Sequence, residues 1–445
     1  MCSILCQVIS IKLHGGKRLV GEGHGFRYPL NKSEIGDGKF GDSAFFTKAL
    51  RASGAITEKE RVSKVSLFDF KSTGLLSDIG ACAIEYDVET EGPAELILKF
   101  APAEFETRIT TDLFALARTE YFVYKDLINK GLMPMTTPKM FYGDYNQKSK
   151  NYCFALERAS GQFRDQVAAP LSLDDALIMV RNLARFHSKW YGREGISKPE
   201  VQFIPLQSAP TYKIFGGVVK QHWNAGVKSN APNKLSHSGW TYKIPDSYRE
   251  LVDDIINNYT NLLYYASESC DGVVGVTHGD TRLDNWFFFT KKDGVTDAGI
   301  LDFQIMTRSS TPADLAWMLC TSCSSEFAAE HEQVLIDKYL ECLETSLGKT
   351  VNREMWMQEY ALSFIGCIGK NIIGAGGIKA IEDHVIKTMN MLMCGGFDAW
   401  ERQNVATVYA KWRAGKLISQ QQPNYKKPPA MTYTEKFYNK YDASL

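Results

Sequence analysis

Two short stretches hold the residue types that move a phosphoryl group. One is Thr277-His278-Gly279-Asp280-Thr281-Arg282-Leu283-Asp284-Asn285, an HGDxxxxN pattern; the other is Leu301-Asp302-Phe303-Gln304. Phosphoryl transfer asks for a carboxylate that meets the acceptor hydroxyl and for oxygen ligands that hold magnesium on the nucleotide phosphates. Asp280 supplies the first. Asn285 offers a neutral oxygen and Asp302, at the end of an apolar run, a charged one, both suited to hard Mg2+. The elements that must position them are legible nearby. Trp286 to Thr290 reads as a strand, Lys291-Lys292-Asp293-Gly294 as a turn, and Ala298 to Leu301 as the returning strand. Such a hairpin would bring Asn285 and Asp302 side by side at its open end.

The bulk of the chain is consistent with a packed protein of two domains or lobes. It has 445 residues, 44% hydrophobic and 23% charged. Lys+Arg and Asp+Glu are both 51, so no basic field argues for a nucleic-acid partner. Ten scattered cysteines form no disulfide framework and suit a reducing compartment. No apolar run approaches the roughly 20 residues of a membrane-spanning helix, and Met1 to Leu13 lacks the marks of a secretory leader. A cytoplasmic location without a membrane span is the expectation.

Two motif matches are decoys. Gly36 to Gly41 fits GxGxxG, but the polar run before it is no strand. Gly348-Lys349-Thr350 resembles the end of a Walker A loop, yet position 343 is Leu. Cys320 and Cys323 form a lone CxxC with no second pair to complete a zinc set, and read as small helix residues.

Along the chain, residues 1–42 read as a Gly-rich extension outside the main core. Strands are expected at Val62 to Phe70, Ala81 to Val88, Glu95 to Phe100, Met140 to Tyr145 and Tyr152 to Leu156, with a helix from Asp112 to Asn129. After Glu157 the pattern turns helical. Ser172 can cap a helix carrying Leu177, Val180, Ala184 and His187 on one stripe, and further helices read from Ser247 to Glu268, Pro312 to Cys320, Glu326 to Leu347, Glu354 to Cys367 and Ile378 to Met393. The division expected is a nucleotide-binding lobe at 43–157 and a helical lobe at 158–445, with 192–242 as an insertion.

With Thr311-Pro312-Ala313-Asp314-Leu315-Ala316, the two motifs make a specific set. Over roughly Ser43 to Gly395 the chain resembles the aminoglycoside phosphotransferase and choline kinase-like superfamily, and within it the ecdysteroid kinase-like (CHK kinase-like) group. The resemblance implies an α+β fold: a bilobal protein-kinase-like arrangement, with an antiparallel-sheet lobe carrying one main helix and a mostly helical second lobe. It implies an ATP- and Mg2+-dependent kinase of a small-molecule hydroxyl, with Asp280 as catalytic base. Lys99, on the strand ELILKF, matches the lysine that touches the ATP phosphates, and Glu120 the helix glutamate that pairs with it. A lysine on an otherwise apolar strand also needs a partner on general grounds.

Gly74, Ser77 and Gly80 lie where a phosphate-covering loop belongs, though an ordinary hairpin loop fits the same residues. Glu157-Arg158-Ala159 is the expected hinge, its backbone facing adenine at Glu157 and Ala159. Around the base, His278 reads as a structural, hydrogen-bonded histidine. Asp314 reads as a brace for the loop or a cap for the helix after Pro312. Arg282 suits a phosphate, a substrate carboxylate or a salt bridge inside the loop. The short step from Asp302 to Asp314 leaves no room for a long activation segment, which argues against protein substrates. The stretch between His187 and His278 carries Trp190, Tyr212, Phe215, His222, Trp223, Trp240 and Tyr242, which suit a face for a cationic acceptor, a wall for a flat alcohol, or core. A catalytically silent nucleotide- or metabolite-binding protein is the alternative, and the presence of Asp280, Asn285 and Asp302 speaks against it. Acceptor identity and oligomeric state are not written in the sequence.

Overall fold

A computed structural model describes residues 10–15, 24–35, 42–69, 76–164, 171–225, 227, 244, 246–270, 272–377 and 383–428. The chain divides into two compact units. One comprises Met1–Gly161 together with Ile300–Ile305, and the other Gln162–Gly299 with Met306–Leu445. The chain therefore returns to the first unit for six residues around Asp302.

The first unit is built on an antiparallel sheet. Its strands are β1 (Val62–Phe68), β2 (Asp78–Tyr86), β3 (Glu95–Phe100), β4 (Met140–Tyr145) and β5 (Tyr152–Glu157), in the order β1-β2-β3-β5-β4. Alternation sorts β3 into two faces. Leu96, Leu98 and Phe100 are fully buried in a cluster with Phe45, Phe46 and Leu50 of helix α1 (Asp42–Ala52). Burying each of these side chains contributes about 1.5–3 kcal/mol. Lys99 necessarily points to the opposite face, with Phe154 of β5 and Ile79 of β2 as its cross-strand neighbours.

Three sequence expectations need correction here. Tyr28 and Ile35 are 1% and 3% exposed within the α1 cluster, so part of residues 1–42 belongs to this core. The helix expected from Asp112 to Asn129 is broken. Helix α2 (Phe105–Leu113) ends at Phe114, Ala115 takes a left-handed φ of 55°, and α3 (Leu116–Phe122) runs on into a π-helical segment, Val123–Ile128. Gly80 lies inside β2 rather than in a loop, because the strand already begins at Asp78. Gly74 and the GxGxxG decoy lie outside the described residues.

The second unit is mostly helical. Helix α4 (Leu173–Lys189) opens with the Ser172 hydroxyl accepting from the Asp175 amide. Helices α5 (Pro210–Ala225) and α6 (Asp246–Tyr264) follow. The short strand β6 (Gln162–Phe163) pairs with β8 (Trp286–Thr290), which neighbours β9 (Thr296–Ile300) in the hairpin read from the sequence. Strand β7 (Val274–Thr277) pairs antiparallel with β10 (Thr307–Ser310). Helices α7 (Pro312–Ser322), α8 (Ser325–Leu347), α9 (Arg353–Gly377) and α10 (Asp383–Arg402) complete the frame. Helix α9 runs well past the expected end at Cys367. Gly369 sits against Tyr259 of α6, where a Cβ would stand 2.1 Å from the phenol oxygen. The glycine serves close packing rather than termination. Gly348, from the Walker-like triplet, is the left-handed cap of α8 at φ 65°. Among the described residues no helix is long and apolar enough to cross a membrane.

Candidate active site

In the first unit the alternation of β3 delivers Lys99 to Glu120 of α3. The ammonium donates to both carboxylate oxygens at 2.7 and 2.9 Å, and to Oδ1 of Asp302 at 3.2 Å. Lys99 and Glu120 are 7% and 1% exposed. Burial alone would strip the proton from Lys99, but Asp302 and Glu120 outweigh it and hold the ammonium well above its ordinary pKa. Burial likewise pushes Glu120 up, to about 7, against the opposing pull of Lys99.

Asp302 adopts a left-handed φ of 69°, a conformation that Asp tolerates better than most residues. Its Oδ2 accepts from the Gln304 amide at 3.2 Å. Phe303 packs edge-on against Tyr124, with ring centroids 5.7 Å apart, and the Ile300 amide donates to Thr136 O at 3.0 Å. These contacts tie the returning segment to the sheet. Ser77 shares a hydrogen bond with the Tyr152 hydroxyl at 2.9 Å. Glu157 closes β5, its carboxylate accepting from the Lys139 amide at 3.0 Å, and Ala159 follows it, partly exposed.

In the second unit the HGD loop emerges from β7. The register Thr277↔Thr307 and Ser310↔Val274 sends β10 away from the loop, and the Thr311 amide donates to Val273 O. Helix α7 then runs back along the loop. Its residues Asp314, Trp317 and Ser322 meet the loop in chain order. Asp314, 1% exposed, accepts from the amides of His278 at 2.6 Å and Gly279 at 2.8 Å. The Trp317 indole N–H donates to Asp280 Oδ1 at 2.9 Å. The Ser322 hydroxyl accepts from the Leu283 amide at 3.0 Å. Gly279 has φ 85°, a conformation cheap only for glycine.

Asp280 is therefore fixed from several directions. Arg282 Nε donates to its Oδ1 at 3.1 Å, while the same guanidinium reaches Asp284 at 3.3 Å. Asn285 donates its amide N–H to Asp280 O at 2.8 Å, so its carbonyl oxygen is the atom left to meet a cation. Burial would raise the Asp280 pKa, but Arg282, the Trp317 N–H, Lys370 and His278 outweigh it. The group stays below the ordinary carboxylate range and is ionised at neutral pH. His278 Nδ1 accepts from the Asp280 amide at 3.2 Å.

Several contributors besides Ser322 were missed from the sequence. His187 reaches Asp314 through Nε2 at 3.0 Å and Tyr339 through Nδ1 at 2.6 Å. With Asp314 ionised, Nε2 donates and Nδ1 accepts from the tyrosine hydroxyl. Trp317 was legible in principle, one helical turn beyond Asp314. Lys370 of α9 donates to Gly279 O at 2.6 Å, its ammonium 4.3 Å from the centre of the Trp317 ring. A lone lysine in the apolar run Ile365-Gly366-Cys367-Ile368-Gly369-Lys370-Asn371-Ile372 was the available signal.

Of the aromatics between His187 and His278, Trp190 and Trp223 are 0% and 1% exposed, their indoles donating to Glu200 and Asp253. They are core. Trp240 and Tyr242 lie outside the described residues.

The profile of the ecdysteroid kinase-like family matches residues 74–351. No curated protein is matched. Among solved structures the chain is similar to choline kinase from Cryptosporidium parvum Iowa II. The TM-score is 0.50 and the identity 11%, over 83% of this chain and 99% of that one. It also aligns with a choline/ethanolamine kinase family protein from Mesorhizobium loti, at TM-score 0.45 and 10% identity, over 82% of this chain and 98% of that one. For the GDP complex of wild-type aminoglycoside 2'-phosphotransferase-IIIa the TM-score is 0.46 and the identity 11%, over 80% of this chain and 99% of that one. The likeness to the choline kinase is one of fold: an antiparallel sheet with its packed helix, followed by a helical unit.

Proposed function

The chain belongs to the ecdysteroid kinase-like family, and from that premise we propose that it transfers the γ-phosphoryl group of ATP to the hydroxyl of a small molecule. The observation that carries this reading is Asp280. It is a carboxylate held ionised by Arg282 and the Trp317 N–H, on a loop clamped by Asp314. A buried carboxylate so thoroughly oriented is suited to accept a proton in a fixed direction.

In this reading Asp280 orients the acceptor hydroxyl and takes its proton as the acceptor oxygen bonds to the γ-phosphorus. The bond from that phosphorus to the β,γ-bridging oxygen breaks, and ADP leaves with the electron pair. Lys99, charged and steadied by Glu120, holds the phosphates. Asp302 offers a charged oxygen and the Asn285 side chain a neutral one, donor types that would suit Mg2+; when bound, that hard cation would neutralise charge on the phosphate oxygens. The backbone at Glu157 and Ala159 faces the base. Ser77, just before β2, covers the phosphates.

The test is a panel of hydroxyl compounds (choline, sterols, sugars, aminoglycosides and amino-alcohols) presented with ATP and Mg2+. Asp280→Asn is expected to lower turnover on any active acceptor by at least about 10²-fold, the scale of general-base catalysis, while calorimetric ATP affinity holds. Turnover by Asp280→Asn at the wild-type rate would refute the assignment, as would a wild-type chain that binds ATP and phosphorylates nothing.

A further inference from the structure

The aromatic ring nearest the base is already occupied by a cation, and that cation comes from the chain itself. Trp317 donates its indole N–H to Asp280 and is 6% exposed. Over its ring, 4.3 Å from the centroid, stands the ammonium of Lys370. Lys370 is pinned there by a 2.6 Å hydrogen bond to Gly279 O, one residue before the base. Both loop carboxylates are also answered, since Arg282 bridges Asp280 and Asp284. Recognition of a quaternary or primary ammonium needs an open π-face or an uncommitted carboxylate. Here Lys370 covers the face and Arg282 takes the carboxylates. Of the other candidate rings, Trp190 and Trp223 are enclosed in the core. Lys370 also lies beyond the residues 74–351 that match the family profile.

We infer that Lys370 is a specificity-determining residue that stands in the place of a substrate ammonium, so that the site takes neutral or anionic hydroxyl compounds and rejects cationic ones. This rests on the kinase reading above for its chemistry, but not for its binding geometry. A cationic acceptor approaching Asp280 meets the Lys370 and Arg282 charges at short range, and repulsion of that kind is an effective way to exclude a partner. A neutral alcohol meets no such penalty and still finds the carboxylate. An anionic group near the hydroxyl gains from both cations.

Two measurements test the inference independently. The first reads binding alone. Tetramethylammonium is titrated against tryptophan fluorescence in the wild type and in Lys370→Met, Lys370→Arg and Trp317→Phe. The wild type and Lys370→Arg should give no response. Lys370→Met should give a saturable one, absent when Trp317→Phe is added to it. The second reads turnover on choline and on its uncharged isostere 3,3-dimethylbutan-1-ol. The wild type should favour the neutral alcohol by roughly tenfold or more in kcat/KM, a discrimination of about 1.4 kcal/mol. Lys370→Met should erase most of that ratio and Lys370→Arg should keep it. A wild-type response to tetramethylammonium, no gain in Lys370→Met, or an arginine variant that behaves like the methionine one would each overturn the inference. If no acceptor is phosphorylated at all, the kinase reading falls, and the fluorescence titration still decides the role of Lys370.

Discussion

Asp314→Asn is the most informative perturbation of the HGD loop, because it changes one buried charge and almost no volume. Two backbone amides, His278 at 2.6 Å and Gly279 at 2.8 Å, and the His187 ring at 3.0 Å converge on this carboxylate. Asparagine keeps one carbonyl oxygen and turns an amino group toward a donor that needs an acceptor. Each hydrogen bond to a charged group contributes about 1.5–3 kcal/mol, so losing one and weakening the others should cost about 2–4 kcal/mol of unfolding free energy. A comparable change at the surface stays within about 0.5 kcal/mol.

Acid sensitivity gives a second reading of the same group. Burial raises its pKa, but His187, His278 and the Gly279 amide outweigh that, and the folded value lies below the ordinary 3.8. The folded state therefore binds fewer protons than the unfolded one as pH falls toward that value. The stabilisation is present above 3.8 and is lost below it. Urea unfolding followed by tryptophan fluorescence between pH 7 and pH 3 should show the variant less stable at pH 7 and flatter toward acid. ATP affinity should be unchanged, since Lys99 and Glu120 belong to the other compact unit. An unfolding midpoint that matches the wild type at pH 7 would show that the loop does not depend on this carboxylate.

Two further outcomes follow from close contacts. Glu120→Gln removes one of the two carboxylates on Lys99. With Asp302 still present it should cost about 2–3 kcal/mol, below the usual penalty for breaking a buried pair, and weaken ATP binding in a calorimetric titration; full stability together with full affinity would count against the pairing. Gly369→Ala would place a Cβ 2.1 Å from the Tyr259 oxygen. It should lower stability by about 1–3 kcal/mol through overpacking, as read in a thermal melt, and a neutral result would mean that α6 and α9 yield freely.

What was legible in the sequence was whatever repeats. The short apolar runs Glu95–Phe100 and Met140–Tyr145 gave those strands their observed ends, because a largely buried strand stands out from the polar turns that bound it. Hydrophobic spacing likewise located most of the helical unit. What stayed hidden depended on single long-range contacts. Nothing local announces that Ala115 takes a left-handed turn, or that Tyr28 and Ile35 plug the sheet's core. Gly369, just past the expected helix end at Cys367, is the space that Tyr259 requires. At the site, the HGD and LDFQ residues could be picked out because their types and order are chemically unusual. Trp317, Lys370 and His187 have ordinary types in helical settings, and only the packing of α4, α7 and α9 reveals what they touch.

The return of Ile300–Ile305 to the first unit has a consequence for how the protein is made. Synthesis delivers the whole sheet by Glu157, but Asp302, one of the two carboxylates on Lys99, is translated only after about half of the helical unit has been made. On the ribosome the sheet must therefore wait, with Lys99 answered by Glu120 alone, until the later segment emerges and docks through Ile300 and Phe303. A fragment cut after Gly161 would be arrested at that stage, and supplying the remainder as a separate chain is the way to ask whether the last contacts can form out of order.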